Sequence, residues 1–184
     1  MEIGKTLDVK SRAAFRSWLA KNHEKRDEIW LIYYRKSSGK KRISYNDAVE
    51  EALCFGWIDS IAKPIDEVRW AQRFSKRKKG SKLSPINRVR VERLRKAKRM
   101  TPAGLEALRH ELATGGSKAV PADILKALKK EPEVWRNFRR FPETYRRIRV
   151  GWIEGARSRR DVFRTRLLFF LKKTKRNEQF GMVR

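Results

Sequence analysis

The spacing of hydrophobic positions changes along the chain, and each change marks a predicted element. Between residues 11 and 19, apolar side chains recur every three or four positions, which predicts a helix that begins at Ser11. The run EIWLIYYRK, residues 28–36, is rich in β-branched and aromatic residues and predicts a strand with both faces buried. Ser44 is a capping residue that predicts a second helix, and Gly56 is suited to end that helix. The first part of the chain therefore mixes helices with strands.

A period of two follows in WIDSIAKPIDEVRWAQRFS, residues 57–75. This pattern predicts two strands joined by a turn near Asp66. In the second strand, Val68, Trp70 and Phe74 fall on one face. Together with the strand at 28–36, the hairpin predicts a small sheet that is mostly antiparallel.

From Ser84 onward the period becomes helical. Proline or an acid near each first turn predicts helices at 84–98, 101–112, 121–130, 132–140, 142–157 and 161–175. The segment ATGGSK, residues 113–118, is a flexible candidate boundary, and the tail NEQFGMVR is predicted to fray. We predict an α+β fold, with a small, mostly antiparallel sheet and packed helices in residues 1–113, followed by an all-helical unit in residues 118–176.

Charge changes what this fold can be expected to do. The 184 residues contain 48 Lys and Arg against 21 Asp and Glu, a formal net charge of +27. The net charge is +4 over residues 1–64, +10 over 65–113 and +13 over 114–184. A field of this sign attracts polyanions such as nucleic acid, an acidic membrane surface or phosphorylated ligands. The alternative is that the cations only keep the surface solvated.

Several classes of protein are disfavoured by what the sequence lacks. The N-terminal stretch MEIGKTLDVKSRAAF has no apolar signal core, and no run of about 18 apolar residues occurs. Cys54 is the single cysteine, and with His23 and His110 it provides too few ligands for a typical zinc site. We therefore expect a cytoplasmic protein with no integral membrane segment, no metal and no cofactor.

The stretch ALCFGWIDS, residues 52–60, places that cysteine beside an acid and a hydroxyl. Cys54 lies on the predicted helix just before Gly56, so its thiol is expected to pack in the core. A nucleophilic cysteine would need a nearby base and a partly exposed, electropositive setting. The core interpretation is therefore favoured.

Asp59 is the candidate acid in the same stretch. If Trp57 faces the core, a period of two places Asp59 on that face, and a buried carboxylate needs a partner. The cations considered as partners are Arg69, Arg73 and Lys63. A structural ion pair is one interpretation. In the other, Asp59 is an acid or base, while Ser60 and Arg73 orient a small anionic substrate.

A basic loop follows in QRFSKRKKGSKLSPINR, residues 72–88. It ends at a helix start that Pro85 favours, where unpaired amides beside cations can bind an anion. The predicted anion-binding residues are Arg73, Lys76, Arg77, Lys82, Ser84 and Asn87. A solvated loop is the alternative, because basic runs are often only solubilising.

Residues 138–173 place aromatic and aliphatic side chains at helical spacing with arginines between them. The residues predicted to form the core of a helical bundle are Phe138, Phe141, Tyr145, Ile148, Trp152, Ile153, Leu167, Leu168 and Leu171. The intervening arginines can then coat a surface that binds nucleic acid.

Two segments together resemble a known family. The run EEALCFGWIDSIAKPIDEVRWAQRFSKRKKGSKLSPIN, with RMTPAGLEAL, resembles the bacterial YdeI/OmpD-associated family, also called bacteriocin-protection proteins. The resemblance extends from about Ser11 to Lys175, and GWIEGARSRR is similar to the helical C-terminal region of that family. It implies a cytoplasmic bacterial protein and gives no defined reaction.

The chain departs from this family pattern at two places. Leu83 stands where the family usually has a tryptophan, which removes a stacking surface. Asp161 and Val162 stand near the place of a Thr-Arg pair, so a polar contact made by that pair is not expected here.

We predict a non-enzymatic binding or stress and bacteriocin-protection protein that engages an anionic partner through the basic loop and the arginine-rich helices. The partner is nucleic acid, a phosphorylated ligand or an acidic protein. Two alternatives stay open. One is an enzyme with a cleft formed by Asp59, Ser60 and Arg73, and the other is an envelope-linked adaptor that docks on a protein.

Overall fold

The computed structural model describes residues 2–113 and 119–181. These residues divide into two units. The first contains the described residues of 1–81 and 90–114, and the second contains those of 82–89 and 115–184. In chain order, the strands and helices of the described residues are β1 (Thr6–Leu7), α1 (Arg12–Asn22), β2 (Glu28–Tyr34), a short 3-10 helix (Lys36–Ser38), α2 (Tyr45–Cys54), β3 (Trp57–Pro64), β4 (Arg69–Lys76), α3 (Pro85–Lys96), α4 (Pro102–Ala107), α5 (Arg109–Ala113), α6 (Ala122–Lys129), α7 (Pro132–Arg140), α8 (Glu143–Glu154) and α9 (Arg160–Lys175).

The strands of the first unit form one mixed sheet in the order β1-β2-β4-β3. Strand β1 is parallel to β2, whereas the β2–β4 and β3–β4 pairs are antiparallel. The predicted hairpin is therefore present, and β4 joins it to the strand predicted at 28–36. The predicted α+β fold, with a small, mostly antiparallel sheet and a C-terminal helical region, is confirmed.

Helices α1 and α2 pack on this sheet. Phe15 of α1 contacts Phe74 of β4 edge to face, with 5.6 Å between ring centroids. Trp18 of α1 meets Trp57 of β3 in the same geometry at 6.0 Å. Helix α2 is buried from Ala48 to Cys54 without interruption. Because no side of this helix segment faces water, its charged residues need partners inside the unit.

Side-chain caps determine where three helices begin. Ser11, Ser44 and Thr101 each accept a hydrogen bond from the backbone N–H three residues later, at 3.0–3.2 Å. Such caps stabilise a helix by about 1 kcal/mol each. The predicted starts at these three residues are confirmed. The single helix predicted over 101–112 is wrong, because the chain leaves the helical conformation at Leu108 and divides it into α4 and α5.

The C-terminal end of α2 lies directly against the start of α4. A Cβ atom on Gly104 would lie 2.0 Å from the carbonyl oxygen of Cys54, so a larger residue does not fit there. That carbonyl is a terminal acceptor of α2, and it accepts from the backbone N–H of Thr101 at 3.0 Å and its hydroxyl at 2.7 Å. Gly56 then turns the chain with φ +75°, which confirms the predicted end of the helix.

The second unit is a bundle of helices around aromatic side chains. Phe170 of α9 lies at 6.1 Å from Phe138 of α7 and at 6.5 Å from Tyr145 of α8, measured between ring centroids. Its buried core consists of Ile124, Leu128, Val134, Phe138, Phe141, Tyr145, Val150, Ile153 and Phe170. Leu168, predicted to be a core residue, is instead 56% exposed, because it lies on the outer side of α9.

The described part of the C-terminal tail does not fray as predicted. Phe180 packs against the aromatic core, and its backbone N–H donates to the hydroxyl of Tyr145 at 3.3 Å. The packing of Phe180, a salt bridge from Lys173 to Glu178 and backbone hydrogen bonds from Asn177 and Glu178 hold this segment, and the polar composition of NEQ did not indicate them. The boundary predicted in ATGGSK falls almost entirely on residues 114–118, outside the described residues, as does the tail beyond Gly181.

A search of the helices in residues 2–113 and 119–181 finds none that combines the length and the apolar character needed to cross a membrane.

Candidate functional site

Asp59 has a partner that the sequence did not indicate. Its carboxylate accepts a hydrogen bond of 2.5 Å from the hydroxyl of Tyr45, at the start of α2. Burial and this hydrogen bond raise the pKa of the Tyr45 hydroxyl. The expected partners were cations, but Arg69 pairs with Asp66 at 2.7 Å and Arg73 pairs with Glu28. The hydroxyl of Tyr45 is thus a neutral donor to this carboxylate, and Arg69 and Arg73 are paired elsewhere.

Ser60 and Arg73, both named for the candidate cleft, are in contact. Arg73 Nη1 donates to the hydroxyl of exposed Ser60 at 3.2 Å, while its Nε and Nη2 donate to Glu28 at 2.8 and 2.6 Å. The register of β3 shifts between Asp59 and Ala62, so the regular alternation of side chains is interrupted at Ser60. The three residues of the predicted cleft are thus separated: Ser60 is hydrogen-bonded to Arg73, whereas Asp59 is hydrogen-bonded to Tyr45.

Two further cations of the predicted anion site have protein partners. Lys76 Nζ lies 3.0 Å from the carboxylate of Asp27 and donates to the carbonyl of Glu24 at 2.9 Å. Arg77 is partly buried and donates to the carbonyl of Ser81 at 2.8 Å. Burial lowers the pKa of the Arg77 guanidinium. These two side chains are positioned by the fold of the first unit.

The remaining predicted anion-binding residues belong to the second unit. Lys82 and Ser84 are exposed, whereas Asn87 is buried. The Ser84 hydroxyl accepts from the backbone N–H of Asn87 at 3.3 Å, so it serves as a cap at the start of α3. Binding of an anion by these six residues stays a prediction.

Cys54 is fully buried at the end of α2. Burial raises the pKa of its thiol, which disfavours the thiolate that a nucleophile needs. Among the described residues, no group of three or more Cys, His, Asp or Glu side chains is arranged to hold a metal ion.

The sequence interpretation missed a buried ion-pair network on α2. Glu51 is fully buried, and its partners are Arg12 at 2.5 Å, Arg16 at 2.7 Å and Arg99 at 2.5 Å. The adjacent Glu50 pairs with Arg12 at 3.0 Å and with Arg93. The hydrogen bond that Arg16 donates to Glu51 raises the pKa of the Arg16 guanidinium. The sequence did contain a sign of this network: two acids lie inside the otherwise apolar run AVEEALC, and charges at buried helix positions require partners.

Helix α9 carries a row of exposed side chains at four-residue intervals, which we call the α9 stripe. Its members are Arg160, Arg164, Leu168, Lys172 and Arg176, the last lying just beyond the end of the helix. Among the described residues, none of the four cations of the stripe forms a salt bridge, although Arg176 attracts the carboxylate of Glu178 at longer range. On the same helix, Lys173 pairs with Glu178 and Lys175 pairs with Glu131, at 2.6 and 2.7 Å.

Other arginines of the second unit lie on aromatic rings. Arg149 is buried, and its guanidinium carbon lies 4.6 Å from the ring centroid of Phe180 and 5.5 Å from that of Tyr145. Burial lowers the pKa of this guanidinium. Arg166 lies 4.7 Å from the centroid of Trp152 and donates to its carbonyl at 2.6 Å. These arginines complete the aromatic packing, whereas the α9 stripe faces solvent.

Two family models match this chain, one in its N-terminal part and one in its C-terminal helical part. A family model described as Domain of unknown function (DUF8412) matches residues 7–107. Since this match spans more than half of the chain, the protein belongs to that family. The run from Glu50 to Asn87, on which much of the resemblance was based, lies inside this match.

A second family model, described as Bacteriocin-protection, YdeI or OmpD-Associated, matches residues 119–161. This partial match includes GWIEGARSRR and confirms the YdeI/OmpD-associated resemblance for the C-terminal helical segment. No curated protein and no solved structure matches the chain.

Proposed function

We propose that this protein is a non-enzymatic nucleic-acid-binding protein that acts in the cytoplasm and contacts the phosphate backbone through the α9 stripe. The observation that carries the proposal is a row of four exposed cations that form no salt bridge among the described residues. Such cations release counterions when they neutralise phosphates, which is the main driving force of non-specific nucleic-acid binding.

The length of the stripe suits a polynucleotide. From Arg160 to Arg176 the helix rises by about 24 Å, and successive members turn around the axis by about 40°. The turn adds to about 160° over the whole row, so a nucleic-acid strand must follow the winding of the stripe to meet all of its members. One strand of duplex DNA carries a phosphate about every 3.4 Å along the axis, so the stripe extends past about seven phosphates. A single small phosphorylated ligand would contact only one or two of its members.

Stability alone does not account for the position of these cations. Arg159 and Arg160 lie at the N-terminal end of α9, where the helix dipole disfavours positive charge by about 0.3–1 kcal/mol. Asp161 offsets part of this cost. A bound phosphate near this end would offset the rest, which supports a role in binding.

Two exposed apolar side chains lie among the cations. Leu168 is 56% exposed and Phe169 is 42% exposed. Aromatic rings interspersed with cations are typical of surfaces on which unpaired bases stack. We therefore expect single-stranded RNA or DNA to bind at least as well as duplex DNA.

The basic loop predicted from the sequence is a second, weaker contact in this proposal. Arg73 and Lys76 already pair with Glu28 and Asp27, so their charge is partly neutralised within the first unit. Lys82 is exposed and is the loop residue expected to contribute most. A catalytic role is less supported, because Asp59 is held by Tyr45 apart from the contact between Ser60 and Arg73.

The test is fluorescence anisotropy with labelled duplex DNA and single-stranded RNA over a series of salt concentrations. The stripe variant replaces Arg164, Lys172 and Arg176 by Gln. The matched control replaces Arg157, Lys173 and Lys175 by Gln, three cations that already have carboxylate partners. Both variants lower the formal net charge of +27 by three, so they separate local contacts from total charge.

We expect the stripe variant to flatten the slope of log K against log salt by nearly three units on duplex DNA, and the control to change it by less than one. Equal changes in both variants would reject the stripe as the contact. Binding to anionic lipid vesicles at physiological salt, with no binding to either nucleic acid, would replace the proposal by a membrane-surface role.

A further inference from the structure

The second unit contains a cavity of about 430 Å³ between the start of α6, helix α7 and helix α8. This volume lies within the usual range of small-molecule sites, about 300–1,000 Å³. It is distinct from the α9 stripe, because no residue of α9 lines it.

One face of α8 forms a wall of this cavity. The residues on that face recur every three or four positions and are Glu143, Arg146, Arg147, Val150, Gly151 and Glu154. The opposite face of α8, with Tyr145 and Ile153, packs in the aromatic core. A Cβ atom on Gly151 would lie 2.6 Å from Cγ of Pro85, so the start of α3 closes against the helix at this point. The cavity wall is thus fixed by packing on both sides.

The floor of the cavity is apolar. Val120, Phe138 and Val150 line it, and the latter two are almost fully buried. Arg146 extends over this floor, with its guanidinium carbon 5.6 Å from the ring centroid of Phe138. An apolar group of a ligand would therefore lie beside a cation and an aromatic face.

Arg146 has an unmet hydrogen-bonding capacity. Its Nε is buried and has no acceptor among the described residues. Because Nε is enclosed by protein atoms, a ligand would bind the terminal nitrogens of the same half-buried guanidinium, and a carboxylate is the acceptor that a guanidinium binds best. By contrast, Arg157, close by in sequence, is fully engaged by Asp123 and Glu154.

Glu143 provides the opposite charge. It lines the cavity, is exposed, and has no cation partner within the described parts of the chain. It precedes Arg146 by one helical turn, a rise of about 4.5 Å. A ligand that carries an ammonium group and a carboxylate on one carbon can reach both side chains.

We propose that this cavity binds an apolar α-amino acid, with its carboxylate on Arg146, its ammonium group on Glu143 and its side chain on Val120, Phe138 and Val150. The equal numbers of lining arginines and glutamates disfavour a polyanion. The site therefore differs in chemistry from the surface proposed for nucleic acid, and each proposal stands without the other.

The experiment is isothermal titration calorimetry of the full chain with three probes. L-phenylalanine carries both charged groups, 3-phenylpropionate lacks the ammonium group, and 2-phenylethylamine lacks the carboxylate. We expect L-phenylalanine to bind at least about tenfold more tightly than either of the other two, because it alone satisfies both charged side chains.

Three variants assign the contacts. Arg146→Gln should lower the affinity for L-phenylalanine and 3-phenylpropionate about tenfold and leave that for 2-phenylethylamine unchanged. Glu143→Gln should lower the affinity for L-phenylalanine and 2-phenylethylamine and leave that for 3-phenylpropionate unchanged. Val150→Trp should abolish binding of all three probes by filling the cavity. Glu133→Gln, an exposed acid of α7 that does not line the cavity, is the matched control and should bind like the wild type.

Absence of heat from L-phenylalanine at millimolar concentration would overturn the proposal. So would equal affinity for the three probes, or an Arg146→Gln variant that binds L-phenylalanine like the wild type. Should Val150→Trp fail to fold, Glu143→Gln still decides the matter, because Glu143 is exposed and its replacement does not disturb the core.

Discussion

The two units accommodate arginine side chains in their interiors in different ways: half-buried arginines surround a buried acid in the first, and a buried arginine lies on aromatic rings in the second. In the first unit, Arg12, Arg16 and Arg99 converge on the fully buried carboxylate of Glu51. In the second, Arg149 is buried against the rings of Tyr145 and Phe180, and its Nε has no acceptor among the described residues. Carboxylates partly neutralise the charge of the three arginines around Glu51, whereas aromatic faces cover that of Arg149.

This difference shows that a high arginine content has no single meaning. Arginines paired with buried acids add little to the external field of the first unit, because their charges are matched over a few ångströms. Arginines on rings keep their full charge, and the exposed stripe of α9 adds to it. Residues 114–184 carry +13 and residues 1–113 carry +14, so the charge per residue is higher in the C-terminal part, which should contribute more per residue to long-range attraction of polyanions.

The largest expected change in stability comes from removing an aromatic side chain of the second unit. Phe170 is fully buried and contacts Phe138, Tyr145 and Phe180. We expect Phe170→Ala to lower the free energy of unfolding of the second unit by about 3–5 kcal/mol, because it leaves a cavity in the core. Urea denaturation followed by hydrogen exchange of second-unit peptides measures this loss.

The control for that change lies on the same helix. Phe169 is 42% exposed, so Phe169→Ala should alter the free energy of unfolding by less than about 1 kcal/mol. Similar losses for the two variants would show that the aromatic core does not dominate the stability of this unit.

The next effect tests the ionic side. Glu51→Gln leaves Arg12, Arg16 and Arg99 without their shared carboxylate, and removal of one partner from a buried ion pair costs about 3 kcal/mol. Hydrogen exchange of first-unit peptides in urea measures it. Glu24→Gln, whose side chain is 84% exposed, is the control and should have little effect. A loss below about 1 kcal/mol for Glu51→Gln would remove the distinction between the two units.

A smaller effect concerns the pH dependence of the first unit. Burial raises the pKa of the Cys54 thiol above its unfolded value of about 8.5. The contribution of Cys54 to stability is therefore fully present below about pH 8.5 and is lost as the pH rises toward the folded-state pKa. The midpoint of urea unfolding between pH 7.5 and 9.5 should decline more in the wild type than in Cys54→Ala.

Reactivity provides an independent measurement on the same thiol. Cys54 should not react with a disulfide reagent in the native protein and should react fully in urea, because it has no exposed surface. Rapid native reaction would instead indicate an accessible, activated cysteine.

The smallest effect tests an exposed ion pair of the second unit. The hydrogen bond from Arg157 lowers the pKa of Asp123, so this pair stabilises the folded state above the unfolded pKa of about 3.9. The contribution is lost as the pH falls through the lowered pKa. The carboxyl signal of Asp123 should titrate below pH 3.9 in NMR spectra, and Arg157→Gln should return it to the ordinary value. An ordinary midpoint in the wild type would contradict the pairing.

The local features of the fold were predictable because they depend on neighbouring residues. The hydroxyls of Ser11, Ser44 and Thr101 act within one turn, and the hairpin around Asp66 depends on alternation and a short turn. The packing of Phe180 was not predictable in this way. It depends on a ring about 35 residues earlier in the chain, at Tyr145, which a local pattern does not report.

The candidate site was predictable only in part, for the same reason. Ser60 and Arg73 were placed in one candidate cleft by sequence, and the contact between them follows from hairpin pairing. The pairing of Asp59 with Tyr45 and of Glu51 with three arginines joins elements distant in sequence. The sequence contains 48 Lys and Arg residues, so it does not indicate which of them pairs with a given acid. The partners are known only once the fold is known.

The glycine contact between α2 and α4 has a consequence for the evolution of the family. Because the Gly104 position lies against the carbonyl of Cys54, a methyl group there is not tolerated unless the end of α2 moves away. That movement would also break both hydrogen bonds from Thr101. Relatives with alanine at the position of Gly104 should therefore also differ at the positions of Thr101 and Gly56, so the three sites should co-vary.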